Sequence, residues 1–132
     1  MCLEIPNQLA GIQVLLVEDE PDIADLLAFV LREAGADVVE AISAFEALHK
    51  LNHYSPAVIV CNLRLPDMNG GELLQSIRFG QADASEQIPA IAVTSYTREF
   101  ALTEITQAGF DAFLPKPIEP EQLVAGIQEL VR

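Results

Sequence analysis

The sequence predicts a doubly wound α/β sandwich, in which helices cover both faces of one five-stranded parallel sheet. Five short apolar segments rich in strand-forming residues alternate along the chain with five segments of helical periodicity. Several of the strand segments are apolar at successive positions rather than at every second one. Such continuous apolarity is typical of parallel strands that are buried on both faces.

The predicted strands define where a functional site is expected. In order, they are Ile12–Val17, Asp37–Ala41, Ala57–Cys61, Ala90–Thr94 and Phe110–Leu114. In doubly wound sheets, functional groups gather beyond the carboxyl ends of the strands. The residues that follow these segments are therefore the first candidates for a site.

The predicted helices lie after the strands. The first begins at Pro21, which suits a first helical turn, and ends before Gly35. Its apolar residues recur at helical spacing and are Ile23, Leu26, Leu27, Val30 and Leu31. A capping box, Ser43-x-x-Glu46, opens the second helix.

Apolar spacing also marks the second helix and the three later ones. The residues are Phe45, Leu48 and Leu51; Leu73, Leu74 and Ile77; Ala101, Leu102, Ile105 and Ala108; and, after Pro120, Leu123, Val124, Ile127, Leu130 and Val131. The resulting (βα)5 unit is flavodoxin-like, and its expected strand order is 2-1-3-4-5.

Length and composition predict one domain. The chain has 132 residues, of which 51% are hydrophobic, and a mean hydropathy of +0.29. We place the domain at residues 12–132, after an N-terminal tail or linker at residues 1–11. No apolar run approaches a membrane span, the first residues lack a signal-peptide pattern, and two cysteines are too few for a disulfide framework. These features predict a cytoplasmic protein.

The charge balance restricts the classes of partner. The 7 Lys and Arg residues against 20 Asp and Glu residues give a net charge of −13. This disfavours nucleic acid and anionic membranes, because both bind basic surfaces. The acidity suits a divalent cation or a basic partner, and equally a role in solubility alone. His49, His53 and Met68 are assigned to packing or to the surface, without a transition-metal site.

Polar residues follow four of the predicted strands. Glu18 and Asp19 follow the first strand, and these acids either favour the next helix through its dipole or offer oxygen ligands to Mg²⁺. Asn62 follows the third strand, Thr94 ends the fourth, and Lys116 follows the fifth. Each residue alone has an ordinary explanation as a turn, a cap or a surface charge. Their joint position at one edge of the sheet predicts a shared site.

With these residues, the chain resembles the receiver domain of bacterial two-component response regulators over roughly residues 12–131. The matching features are the pair Glu18-Asp19, the loop L-x-L-P-D-M-x-G at Leu63–Gly70, Thr94, and Lys116-Pro117. In that family, the residue four before the loop proline is the aspartate that takes a phosphoryl group from a kinase histidine. Asn62 stands at this position. A neutral amide lacks the anionic oxygen nucleophile, so Asn62 is not expected to form an acyl phosphate.

The resemblance implies further roles. Glu18, Asp19 and the backbone carbonyl of Arg64 would hold a Mg²⁺ ion, more weakly here because an amide replaces one carboxylate. By the same resemblance, Thr94 would donate a hydrogen bond to a phosphoryl oxygen, and Lys116 would pair with the acceptor and the phosphate. Phe113 would be either the aromatic residue of the family switch or a plain core residue.

The leading hypothesis is a receiver domain of phosphorelay signalling, not an enzyme, which works as a phosphorylation-independent interaction module. Its expected partners are a histidine kinase or a fused kinase or effector domain, and a second copy bound through the fourth helix, fifth strand and fifth helix at about Arg98–Val131. An alternative keeps phosphotransfer through another carboxylate, with Asp67 the nearest. A third hypothesis, a small enzyme or cofactor binder on the same scaffold, lacks a glycine-rich phosphate loop to support it.

Overall fold

The computed structural model describes residues 8–79, 88–94 and 109–131. Its five strands form one parallel sheet in the order β2-β1-β3-β4-β5, as predicted. The strands are β1 (Gln13–Val17), β2 (Asp37–Ala41), β3 (Val58–Asn62), β4 (Ala90–Thr94) and β5 (Ala112–Pro115). Each begins within two residues of its predicted start.

Within the described residues, four helices pack on this sheet. They are α1 (Pro21–Glu33), α2 (Ala44–Lys50), α3 (Gly70–Phe79) and the C-terminal helix α4 (Pro120–Val131). The helix predicted around Ala101–Ala108 lies outside the described residues. In the part of the chain that the structure describes, no helix has the length and apolarity that a membrane span requires.

The sheet separates two hydrophobic cores, and its strands β1, β3 and β4 are buried on both faces, as predicted from their continuous apolarity. Leu16 of β1 belongs to a buried cluster with residues of α1 and α4. The preceding residue, Leu15, belongs to the opposite cluster with residues of α2 and α3. Successive side chains of a strand point to opposite faces, so an unbroken apolar run serves both cores.

Helix α1 begins at Pro21 and ends before Gly35, as predicted, but it buries a narrower stripe. Gly35 has a φ of +97°, in the left-handed region that glycine adopts easily beyond a helix end. The buried residues are Ala24, Leu27, Ala28 and Leu31. Leu26 fits the predicted apolar spacing but is 54% exposed, because small alanines let the helix turn a different face to the sheet.

The folded unit extends in front of β1. Leu9 is fully buried in the core that contains α1, and its amide donates to the carbonyl of Ala34 at 2.7 Å. Leu9 lies inside the tail or linker predicted for residues 1–11, so packing begins at least three residues before the predicted boundary. Residues 1–7 lie outside the described residues.

Candidate functional site

The candidate site begins where β1 ends, with Glu18 and Asp19. The chain continues beside β2 for one more residue, because the Glu18 amide donates to the Ala41 carbonyl at 3.0 Å. Glu18 is 2% exposed and Asp19 is half-buried. The carboxylate Oε2 of Glu18 accepts a hydrogen bond from the Glu20 amide at 3.2 Å. The turn into α1 therefore holds two carboxylates at the edge of the sheet, as the sequence predicted.

Asn62, the last residue of β3, points its amide group at these carboxylates. It is 6% exposed, and its Nδ2 donates to Glu18 Oε2 at 3.1 Å and to Asp19 Oδ1 at 3.2 Å. A third acceptor is the backbone carbonyl of Arg64, at 3.0 Å. The two hydrogens of one amide are therefore shared among three oxygens. These three oxygens belong to the groups that the family resemblance predicts as Mg²⁺ ligands.

The electrostatics of the pocket fix the orientation of the Asn62 amide. In the reverse orientation, Oδ1 would face two carboxylates and a carbonyl, and Nδ2 would face the amide of Arg64. As oriented, Oδ1 accepts from the Arg64 amide at 3.3 Å. Both ends of the side chain thus have partners of the opposite polarity, which is what burial of an amide requires.

Lys116, directly after β5, neutralises part of this negative charge. Its Nζ lies 3.3 Å from Glu18 Oε1 and 3.6 Å from Glu20 Oε1. The backbone amide of Lys116 donates to the Thr94 carbonyl at 2.8 Å, which ties the residue to the end of β4. The structure therefore joins Lys116 to the acids of β1. It also adds Glu20, a residue that was not predicted as part of the site.

Burial raises the pKa of Glu18 above its ordinary value. The hydrogen bond from the Glu20 amide and the charge of Lys116 oppose this increase, while the nearby Asp19 adds to it. Loss of water around the carboxylate is the largest of these effects. The carboxylate of Glu18 thus depends on its cation and its amide donors to stay ionised.

The remaining predicted site residues lie on β4 and β5. Thr94 ends β4 and is 2% exposed, next to Pro115 in the sheet. Phe113 on β5 pairs with Ala92 and packs, partly buried, against the core shared with α2 and α3. This placement agrees with core packing, and a switch role for Phe113 stays a prediction.

The loop after β3 contains a glycine whose importance the sequence alone did not show. A Cβ atom on Gly70 would lie 2.7 Å from the backbone carbonyl oxygen of Asn62. The Gly70 amide donates to the Leu63 carbonyl at 2.8 Å, so the loop closes directly behind the site. Only glycine allows the first turn of α3 to approach Asn62 this closely.

Asp67, the alternative acceptor considered from the sequence, has a structural task at α2. Its Oδ1 accepts from the Ala44 amide at 3.0 Å and its Oδ2 from the Phe45 amide at 2.8 Å. The next amide of the helix, of Glu46, donates to the Ser43 hydroxyl at 3.1 Å, as the capping box predicted. The first three amides of α2 therefore all have side-chain acceptors. These hydrogen bonds lower the pKa of Asp67 and direct its carboxylate at α2.

Replacing this cap should weaken the domain. We expect Asp67→Ala to lower the urea midpoint at neutral pH, because two helix amides lose their acceptor. The pKa of Asp67 is lower in the folded state, so its contribution is present above the ordinary Asp pKa and is lost as pH falls through the folded value. The difference between parent and variant should therefore shrink in acid.

The matched control for this experiment is Asp25→Ala, which removes the same charge from the exposed face of α1. It should leave the urea midpoint nearly unchanged. Equal midpoints for the parent and Asp67→Ala at neutral pH would contradict the capping role.

Comparison with known protein sequences identifies the family of this chain. A family model described as the response regulator receiver domain matches residues 14–128. An uncharacterised 14.6 kDa protein of Leptolyngbya boryana is 38% identical over 121 residues, which cover 92% of this chain and 91% of that protein. The response regulator Rre1 of Synechocystis is 33% identical over 122 residues, which cover 91% of this chain and 52% of Rre1. The chain spans about half the length of several curated regulators that it matches.

Solved structures share the fold over nearly the whole chain. The chemotaxis response regulator CheY4 of Vibrio cholerae matches with a TM-score of 0.80 and 28% identity, covering 90% of this chain and 98% of that one. The receiver domain of the sensor histidine kinase PA1611 of Pseudomonas aeruginosa matches with a TM-score of 0.81 and 27% identity, covering 92% and 98%. That structure carries a magnesium ion in its active-site cleft.

Proposed function

This chain belongs to the response regulator receiver domain family of two-component signalling, and from that premise we propose that it signals without accepting a phosphoryl group. In this proposal, Asn62 occupies the acceptor position and the domain is a binding module, not an enzyme. It acts by presenting one stable arrangement of its surface to a partner, whatever the state of the kinase.

The observation that carries the proposal is the contact set of Asn62 Nδ2. An acceptor must present an anionic oxygen to phosphorus, but Asn62 presents a neutral nitrogen whose hydrogens are engaged with Glu18, Asp19 and the Arg64 carbonyl. The same hydrogen bonds satisfy three oxygens that would otherwise repel one another. The amide therefore supports a stable pocket with neither a metal ion nor a phosphoryl group.

Magnesium remains a weak ligand in this proposal. Two carboxylates and a carbonyl are the hard oxygen donors that Mg²⁺ prefers, so Glu18, Asp19 and Arg64 would hold it. When bound in a receiver, the ion supplies positive charge for phosphoryl oxygens. Here the Asn62 hydrogens compete for the same oxygens, and a neutral amide cannot supply the charge of the missing carboxylate. We therefore propose binding weaker than in a receiver with three carboxylates.

The other site residues keep roles that do not need phosphotransfer. Lys116 stabilises buried Glu18 through the 3.3 Å ion pair, and Thr94 offers a hydroxyl at the end of the neighbouring strand. In the family these two residues would contact the phosphoryl group. Without that group, we assign Phe113 to packing between β5 and the core, in one fixed arrangement.

The proposed partner is a histidine kinase, or a kinase or effector domain joined to this one. The regulators Rre1 and MtrA are about twice as long as the matched region, which is consistent with a receiver acting beside other domains. The face that includes β5 and α4 is the proposed surface for a second copy. The part of that face from Arg98 to residue 108 lies outside the described residues.

A phosphodonor experiment tests the proposal. We expect no gain of one phosphoryl mass when the chain is incubated with acetyl phosphate and Mg²⁺, as read by intact mass spectrometry. A receiver with an aspartate acceptor serves as the positive control. Stoichiometric labelling of this chain would overturn the proposal, and its loss in Asp67→Asn would assign the acceptor to Asp67.

A further inference from the structure

Two histidines meet at the carboxyl end of α2, away from the pocket around Asn62. His49 lies in the last turn of the helix and His53 in the turn that follows, and both are exposed. Their ring centroids are 5.4 Å apart, with the ring planes at 67°. From the sequence, these residues are assigned to packing or the surface, without a transition-metal site. The structure adds that the two rings lie next to each other.

The separation of the rings suits one shared metal ion. Zinc–nitrogen bonds of about 2.0–2.1 Å place two imidazole ring centres on a tetrahedral ion about 5 Å apart. The observed separation of 5.4 Å is close to that value. The backbone beneath the rings is fixed by hydrogen bonds from the Asn52 amide to the His49 carbonyl at 3.1 Å and from the His53 amide to the Lys50 carbonyl at 2.9 Å.

We propose that His49 and His53 form a two-imidazole chelate for a late first-row divalent cation, of the class of Ni²⁺, Cu²⁺ or Zn²⁺. Imidazole nitrogen suits these ions, whereas Mg²⁺ and Ca²⁺ prefer oxygen. The carboxyl end of a helix carries partial negative charge, which favours a cation there. The net charge of −13 adds a general attraction for cations.

Water completes the coordination in this proposal. Among residues 8–79, 88–94 and 109–131, no group of three or more His, Cys, Asp or Glu side chains is placed to hold a metal ion. The site is therefore an open two-ligand chelate rather than a closed structural centre. It does not rest on the signalling role proposed above, because it uses neither the pocket nor its residues.

Isothermal titration with Ni²⁺ tests the chelate. We choose Ni²⁺ because Cu²⁺ oxidises thiols, and we add excess Mg²⁺ to occupy carboxylates elsewhere. The buried Cys61 is a poor competitor, since burial and the nearby Glu18 charge raise the pKa of its thiol. The second cysteine, Cys2, is replaced by serine in every protein, so that its thiol does not bind Ni²⁺. This Cys2→Ser parent is compared with its His49→Gln, His53→Gln and double-histidine variants.

The pattern among the variants decides the proposal. We expect one Ni²⁺ per parent chain and a loss of affinity of at least about tenfold in each single variant, because a chelate gains from holding the second ligand close. The double variant should bind scarcely more weakly than either single one. Affinity within twofold of the parent in either single variant would overturn the proposal. So would two independent ions in the parent with one lost in each single variant.

Discussion

Asn62→Asp should make the stability of the domain depend on Mg²⁺. In EDTA we expect the variant to be less stable than the parent by on the order of 3–5 kcal/mol, a fall in melting temperature of roughly 10 °C or more. Millimolar Mg²⁺ should restore most of this loss, whereas the parent should respond weakly. Acetyl phosphate should then label the variant, because the missing anionic nucleophile is present.

The expected size follows from the contacts of the Asn62 amide. Nδ2 lies 3.1 Å from Glu18 Oε2 and 3.2 Å from Asp19 Oδ1. A carboxylate oxygen in its place replaces two attractive contacts by two like-charge repulsions, each on the order of 4 kcal/mol at about 4 Å and an effective dielectric constant of about 20. Partial protonation and small shifts in the pocket reduce the sum. A divalent cation bound by the same oxygens removes the repulsion.

A second asparagine provides the matched control. Asn69→Asp makes the same chemical change in the same loop, but at the exposed start of α3, where Oδ1 accepts from the Glu72 amide at 2.8 Å. An aspartate caps a helix as well as asparagine does, so this variant should keep the stability of the parent and gain no Mg²⁺ dependence. If Asn62→Asp matches it in EDTA and in Mg²⁺, the pocket geometry argued above is wrong.

The fold was predictable because its signal is local. Runs of apolar residues bounded by turns predicted all five strands, and Pro21, Gly35 and the box Ser43-x-x-Glu46 predicted helix ends. What failed was the choice among neighbouring apolar residues. Six consecutive apolar residues run from Leu26 to Leu31 in α1. Periodicity alone does not say which face of this helix contacts the sheet. Leu26 and, on α2, Phe45 fit the apolar spacing of their helices but are exposed.

The candidate site was predictable in membership but not in contacts. Positions at strand ends, together with a family resemblance, selected Glu18, Asn62 and Lys116, and the structure brings these three together. Asp67 shows the limit of that reasoning. The donors to its carboxylate are helix amides 22 and 23 residues away in sequence, and no local pattern links a loop after β3 to the start of α2. Only the three-dimensional structure shows a helix cap from a residue so distant in sequence.

Lys116→Met should destabilise the domain by about 3 kcal/mol at neutral pH, because it leaves the carboxylate of Glu18 buried without its cation. The side chain of Glu18 is 1% exposed and that of Lys116 is 14% exposed, so water cannot readily solvate the carboxylate once its cation is removed. Chemical unfolding in urea would measure the difference. Lys50→Met, which removes the same charge from the end of α2, is the control and should cost much less.

The pH dependence of this loss identifies its cause. Burial already raises the pKa of Glu18, so between its ordinary and folded values the folded state holds a proton that the unfolded state has released. Stability from this group is therefore greatest below the ordinary Glu pKa and falls as pH rises towards the folded value. Without Lys116 the pKa of Glu18 in the folded state rises further, so the stability deficit of Lys116→Met should be smallest in acid and grow towards neutral pH.

Adding Glu18→Gln to Lys116→Met should recover much of the loss of stability, because the neutral amide keeps an acceptor oxygen for Asn62 without a buried charge. A deficit that is constant with pH and unaffected by Glu18→Gln would mean that Lys116 stabilises the domain through the packing of its aliphatic stem instead.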